Sequence, residues 1–170
     1  MSDVKCSLLK PFGSTILKSE LPDDLVKDFS NDLSKIRQDP KLVDEHKFGH
    51  KLAGNLYKEL LISHDTMLKW NFEDKFVSPD ISTVGYIKLP QSMSEYKHTK
   101  PHHSVGGFIE FMEGTEDIFT NANYLLQPIL KDFYIFPSSL RHAVYPFHSS
   151  SDTDERISFS FNAKVVFSES

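Results

Sequence analysis

Arg156-Ile157-Ser158-Phe159-Ser160-Phe161-Asn162 is the stretch whose alternation is cleanest. Successive side chains of a strand point to opposite faces. Ile157, Phe159 and Phe161 therefore share one face, which reads as core. Arg156, Ser158, Ser160 and Asn162 share the other. One guanidinium and three small polar groups on a single face describe either a solvent-facing sheet or a polar cavity. In a cavity, an Arg with a hydroxyl two residues later forms a carboxylate clamp, because the guanidinium offers a two-pronged fork and the hydroxyl adds a further donor.

Reading upstream, the same β character continues. Ala143-Val144-Tyr145 precedes Pro146, and Phe133-Tyr134-Ile135-Phe136 ends at Pro137. Tyr124-Leu125-Leu126 and Phe108-Ile109-Glu110-Phe111-Met112 form two further apolar runs, the second entered through Gly106-Gly107. Val84 to Leu89 is closed by Pro90. Short strands punctuated by Pro and Gly predict a sandwich or barrel over residues 70–170. The N-terminal third differs. Leu25, Val26, Phe29, Leu33 and Ile36 recur at helical spacing behind Pro22, Asp23 and Asp24, so a helix is predicted there, with Pro40 as its stop. Residues 12–17 read as a short strand, 46–54 as a loop and 55–62 as a second helix. The expected architecture is α+β but mainly β: a single domain with a helical part over 1–69 packed on a β-sandwich over 70–170.

Composition narrows the function classes. The chain has 170 residues, 24 of them acidic and 19 basic, for a net charge of -5. That balance disfavours a general binder of nucleic acid or anionic membrane. No apolar run approaches the length of a membrane span. The start lacks the basic and apolar regions of a secretory signal, and the single cysteine, Cys6, excludes an internal disulfide framework. A cytoplasmic protein is expected, in the host cytoplasm if the source is viral. Phosphate-loop, His-Glu-x-x-His and Gly-x-Ser-x-Gly motifs are missing.

Lys131 to Pro146, continued by Glu155 to Asn162, resembles the second half of an iron(II)- and 2-oxoglutarate-dependent oxygenase. It is most similar to the small oxygenases of tailed phages and marine bacteria that are related to prolyl hydroxylases. There a strand ending in Phe-Pro is followed by a metal-binding His and then by an Arg-x-Ser clamp. The resemblance is strongest over about residues 106–166 and weaker through Phe12-Gly13-Ser14 and Leu52-Ala53-Gly54-Asn55. It implies a double-stranded β-helix, or jelly-roll, with His142 as an iron ligand and Arg156 and Ser158 holding 2-oxoglutarate. It also implies hydroxylation of an unidentified substrate, coupled to decarboxylation of 2-oxoglutarate to succinate.

The family pattern needs two more metal ligands ahead of the strand that ends at Pro90. The matching stretch, Asp74 to Ser82, contains no histidine. Asp80 is the candidate carboxylate ligand. His102 or His103 could supply the third group, although flanking lysines also suit a solvated loop. A degraded iron site would instead leave a non-catalytic jelly-roll that keeps its carboxylate pocket. A cupin-like metal protein, the remaining alternative, would give Arg156 no role. Trp70 and the phenylalanines read as core, and His46, His50, His64 and His148 as surface or satisfied histidines.

Overall fold

A computed structural model describes residues 6–11, 13–47, 59–72, 79–90, 93, 106–115, 121–147 and 154–166. The chain divides into two compact units. One combines residues 1–21 with 77–170, and the other spans 22–76.

The first unit is built from antiparallel strands. β1 (Cys6–Leu9), β2 (Ile16–Glu20), β3 (Ile81–Lys88), β6 (Asp132–Pro137), β8 (Ile157–Phe159) and β9 (Asn162–Ala163) form a six-stranded sheet in the order β1-β2-β6-β3-β8, with β9 also on β3. β4 (Ile109–Met112), β5 (Asn123–Leu126) and β7 (Arg141–Val144) form a three-stranded sheet in the order β5-β4-β7. Every pairing is antiparallel. The predicted strands all appear, with ends displaced by a few residues. β1 is additional, and β2 starts later than the stretch proposed for it. The first twenty residues thus belong to the β unit through β1 and β2 rather than to a helical N-terminal part.

The two sheets meet through their inner faces. Tyr86, Tyr134, Phe136 and Ile16 of the larger sheet cluster with Ile109 and Phe111 of the smaller one. Phe111 and Phe136 meet edge to face at 4.9 Å between ring centroids. This placement corrects one expectation. The face of Ile157, Phe159 and Phe161 is not the one enclosed between the sheets. Gly85 pairs with both Phe133 and Phe159, so these rings stand on the outer face. There Phe133 stacks on Phe159 at 5.8 Å and on Phe161 at 5.9 Å. The gap they need is provided by Gly85, where a Cβ would lie 2.4 Å from the Phe159 ring. The Arg-Ser-Ser-Asn face is the inner one.

The second unit holds α1 (Asp23–Gln38), α2 (Pro40–His46) and α3 (His64–Lys69). α1 begins behind Pro22 with two aspartates in its first turn, as its sequence predicts. Pro40 ends it but also opens α2, because Pro lacks only an amide that the first turn does not use, and the Asp39 carboxylate caps the Lys41 amide at 2.9 Å. α3 is capped by Ser63, whose hydroxyl and amide both donate to the buried Asp32 at 2.6 and 2.7 Å. Trp70 donates its ring N–H to Asp28 at 3.0 Å rather than serving as simple core. Of the helix expected at 55–62, residues 55–58 lie outside the described residues. Residues 60–62 are not helical, and Leu60 forms an isolated bridge with Lys47.

Phe111 is fully buried and ties the two sheets together. Phe111→Ala should destabilise the protein by about 3–5 kcal/mol, the usual cost of truncating a packed aromatic. Val166→Ala, at an 84% exposed position, should change stability by less than about 0.5 kcal/mol. Chemical denaturation of the two variants checks this contrast.

Candidate functional site

All four site residues singled out from the sequence are described, and all belong to the β unit. Their positions are best read along β3, which is paired with β6 on one edge and with β8 and β9 on the other. Tyr86 pairs with Ser158 and Ser82 with Asn162. Directly paired antiparallel residues share a face, so Ser158 and Asn162 look inward beside Tyr86 and Ser82. Ser158 is nevertheless exposed. β8 is the last strand of its sheet, and an exposed side chain on an inward face marks a wall that opens to solvent.

Arg156 stands two residues before Ser158. Its guanidinium turns inward, donates to the Gly107 carbonyl at 2.9 Å and lies over the Phe147 ring at 5.8 Å. Gly107 can take the backbone conformation this anchor needs because it has no Cβ. Its φ is +76°, and a Cβ would lie 2.5 Å from the Met93 methyl. Glu155, the nearest carboxylate in sequence, is engaged by Lys88 at 3.2 Å. Among the described residues no carboxylate pairs with Arg156. Burial holds its pKa below the ordinary value, partly offset by the charge interaction with Tyr86.

Tyr86 completes this corner, and sequence reading missed it. It is 1% exposed, yet its hydroxyl has no hydrogen-bond partner. Burial raises its pKa to about 12, opposed by Arg156 and reinforced by Asp132. A buried hydroxyl normally finds a partner. Among the described residues the half-buried guanidinium has no carboxylate partner, and the buried phenol with which it interacts electrostatically has no acceptor.

His142 lies at another level of the same wall. It pairs with Phe111 on β4. Its ring meets Phe136 edge to face at 4.9 Å and Phe111 at 6.4 Å. Phe136 pairs with Ser82, so the imidazole stands over the Ser82 level of β3, four residues from Tyr86, or about 13 Å of extended strand. Nδ1 lies 3.1 Å from the Leu140 carbonyl. An N–H at Nδ1 donating there leaves Nε2 as the lone-pair nitrogen, the posture of a metal-binding histidine.

Asp80 precedes β3 and is exposed. Its carbonyl accepts from the Ser138 amide at 3.0 Å, and its Oδ2 accepts from the Val165 amide at 3.0 Å. Ser138 belongs to the turn that leads into β7 and His142. Asp80 is thus two residues from the Ser82 level, on the side away from Tyr86, with Oδ1 uncommitted to any described donor. No group of three His, Cys, Asp or Glu side chains suited to a metal is found among the described residues. His102, His103 and the Asp74–Ser78 stretch lie outside them. The helical unit carries an open groove lined by Asp28, Asp32, Lys35, Asp65 and Lys69. Its charges largely satisfy one another: Lys69 pairs with Asp28 at 2.6 Å, and Asp32 is taken up by Ser63.

Two facing antiparallel sheets with Arg156 and Ser158 on an inward, open wall define a β-sandwich. Residues 77–162 match the family model described as "Putative 2OG-Fe(II) oxygenase". The match covers just over half of the 170 residues, and the chain belongs to this family of 2-oxoglutarate- and iron(II)-dependent oxygenases. No curated protein and no solved structure matches the chain. The family implies a small-molecule co-substrate, and no helix among the described residues is long and apolar enough to cross a membrane.

Removing the unpaired phenol should not harm the empty fold. Tyr86→Phe should leave stability within about 1 kcal/mol of the parent or raise it, since an unsatisfied buried hydroxyl is lost, as thermal unfolding in the absence of ligand will show. Tyrosine ionisation gives a second check. Because the folded-state pKa of Tyr86 is raised from 10.0 to about 12, its contribution to stability is intact below pH 10 and is lost as pH climbs from 10 towards 12. Tyr86→Phe should flatten part of that alkaline fall in urea titrations.

Proposed function

We propose that the inner wall of the β unit is a 2-oxoglutarate site and that the protein is a 2-oxoglutarate- and iron(II)-dependent hydroxylase of an unidentified substrate. The observation that carries this reading is the charge interaction between the half-buried Arg156 and the unpartnered Tyr86 hydroxyl, beside Ser158. Arg156 would clamp one carboxylate of 2-oxoglutarate, with Ser158 and Tyr86 as additional donors. Such charge-assisted bonds in a partly desolvated corner are stronger than the same contacts in water. In this reading the co-substrate would span the roughly 13 Å of β3 between the Tyr86 and His142 levels. The fold that fits this wall is a double-stranded β-helix.

His142 and Asp80 would contribute to holding iron(II), with His102 or His103 as the source of a third ligand. The donor set suits that ion: an imidazole and a carboxylate are elements of a two-histidine, one-carboxylate site. Bound there, iron(II) supplies the oxygen chemistry that couples decarboxylation of 2-oxoglutarate to hydroxylation. This chain's own residues orient the reactants. Arg156 and Tyr86 fix one end of the co-substrate, and the Leu140 carbonyl fixes the His142 tautomer. Phe136 and Phe111 pack against the ring of the otherwise exposed His142.

A second reading is a binding module of the same ancestry that keeps the carboxylate pocket without catalysis. It is favoured by the lack of a histidine in Asp74–Ser82, where the family pattern needs one. Release of labelled carbon dioxide from 2-oxoglutarate separates the two. With saturating iron(II), the hydroxylase should release label above background. His142→Ala should abolish that release, while Arg156→Ala should weaken 2-oxoglutarate by at least about tenfold, as expected for losing a charge-assisted pair. Background release, together with tight binding of 2-oxoglutarate that does not depend on metal, would select the module. If 2-oxoglutarate binds neither with nor without iron(II), both readings fail.

A further inference from the structure

The row of residues that carries Tyr86 also carries a buried carboxylate. Glu20 pairs with Asp132 across β2 and β6, and Gly85 pairs with Phe133 across β3 and β6. One step along, Asp132 therefore sits beside Tyr86, and the Lys131 amide donates to the Tyr86 carbonyl at 2.9 Å. Asp132 is 7% exposed. It faces inward with Tyr134, and the Tyr86 and Tyr134 rings meet edge to face at 6.4 Å. A negative charge thus adjoins the corner in which Arg156 and Tyr86 await an anion.

Such a carboxylate is a competitor. Left alone it would repel an incoming dicarboxylate and attract the Arg156 guanidinium. It is not left alone. Its Oδ2 takes both the Lys18 ammonium and the Tyr134 hydroxyl at 2.7 Å. Lys18 also lies over the Tyr134 ring at 5.6 Å, and its side chain is 30% exposed. Glu20, the other carboxylate in the row, has a side chain that is 73% exposed, and Lys131 lies 3.8 Å from it.

We propose that Lys18 is a specificity-determining residue: by holding the Asp132 carboxylate against Tyr134, it neutralises the charge beside the Arg156–Tyr86 corner and lets that corner accept a dicarboxylate. Lys18 acts through Asp132 and is a positioning residue, not a catalytic one. The inference rests on the reading of this wall as a 2-oxoglutarate site.

The two partners make opposite predictions. Lys18→Met exposes the corner to an uncompensated negative charge and should weaken 2-oxoglutarate binding by roughly tenfold, the scale of one charge at this range in a partly screened site. Asp132→Asn removes the competitor and leaves Lys18 as an extra cation, so binding should tighten. The double variant Lys18→Met/Asp132→Asn should return close to the parent affinity, and Lys18→Arg should retain it. A purely structural ion pair would behave otherwise, because both single variants would then weaken binding together with thermal stability. Calorimetric titration of the full chain with 2-oxoglutarate, at fixed pH and low salt, reads these affinities. Opposite signs for the single variants and recovery in the double variant support the proposal. Parent binding that both single variants leave unchanged, or that both weaken, overturns the role of Lys18 while the 2-oxoglutarate site stands. No binding to the parent protein overturns the site itself, and this inference with it.

Discussion

The dual pairing of β3 is the constraint on which the rest depends. Held by β6 on one edge and by β8 and β9 on the other, it has little freedom to slip, because a shift of one residue would turn Tyr86 outward and bring Gly85 into the core. That register sets Tyr86 beside Ser158, Ser82 beside Phe136 and, through Phe136, the level at which His142 stands. A bulge between Tyr86 and Lys88 adds one residue to β3 opposite β8. It leaves Lys88 opposite Ile157, where it reaches Glu155, while Arg156 turns inward to Gly107. The separation of these two cations, one outward and paired, one inward and without a carboxylate among the described residues, is a local consequence of that irregularity.

The inner wall is not uniformly apolar, and its polar groups are not equally satisfied. Asp132, Tyr134 and Lys18 form a closed set in which donors and acceptors match. Arg156 and Tyr86 form an open one. A buried hydroxyl without a partner costs free energy, and Tyr86 carries that cost while Arg156 is held by the Gly107 carbonyl. In the proposed reading a bound carboxylate would satisfy both, in keeping with the family to which residues 77–162 assign the chain. The imidazole of His142 is anchored through Nδ1 at the Leu140 carbonyl, and no described residue engages its other nitrogen.

The sequence made much of this legible where a single element carries the signal. The spacing of Leu25, Phe29 and Ile36 marked α1, and apolar runs with proline or glycine punctuation marked the strands from β3 to β7. It was silent where the signal is shared between distant elements. Cys6-Ser7-Leu8-Leu9 has no alternation and few β-formers, so only its pairing with β2 reveals it as a strand. Tyr86 resembles any core aromatic in sequence. It becomes a candidate ligand only because a strand seventy residues later brings Arg156 into its corner. Lys18 and Asp132, more than a hundred positions apart, are likewise joined only by the β2–β6 register.

Alternation alone determined that Arg156, Ser158, Ser160 and Asn162 share a face and that Ile157, Phe159 and Phe161 share the other, since strand geometry leaves no other arrangement. Which face would be enclosed was a decision of the tertiary structure. Hydrophobicity favoured the phenylalanines, but the second sheet packs on the side of Tyr86, Tyr134 and Phe136, and the Phe133, Phe159 and Phe161 rings stack on the outside. The physical reason is that a strand contributes two faces while its neighbours choose between them. Burial is a property of the whole sheet, and no seven residues can fix it.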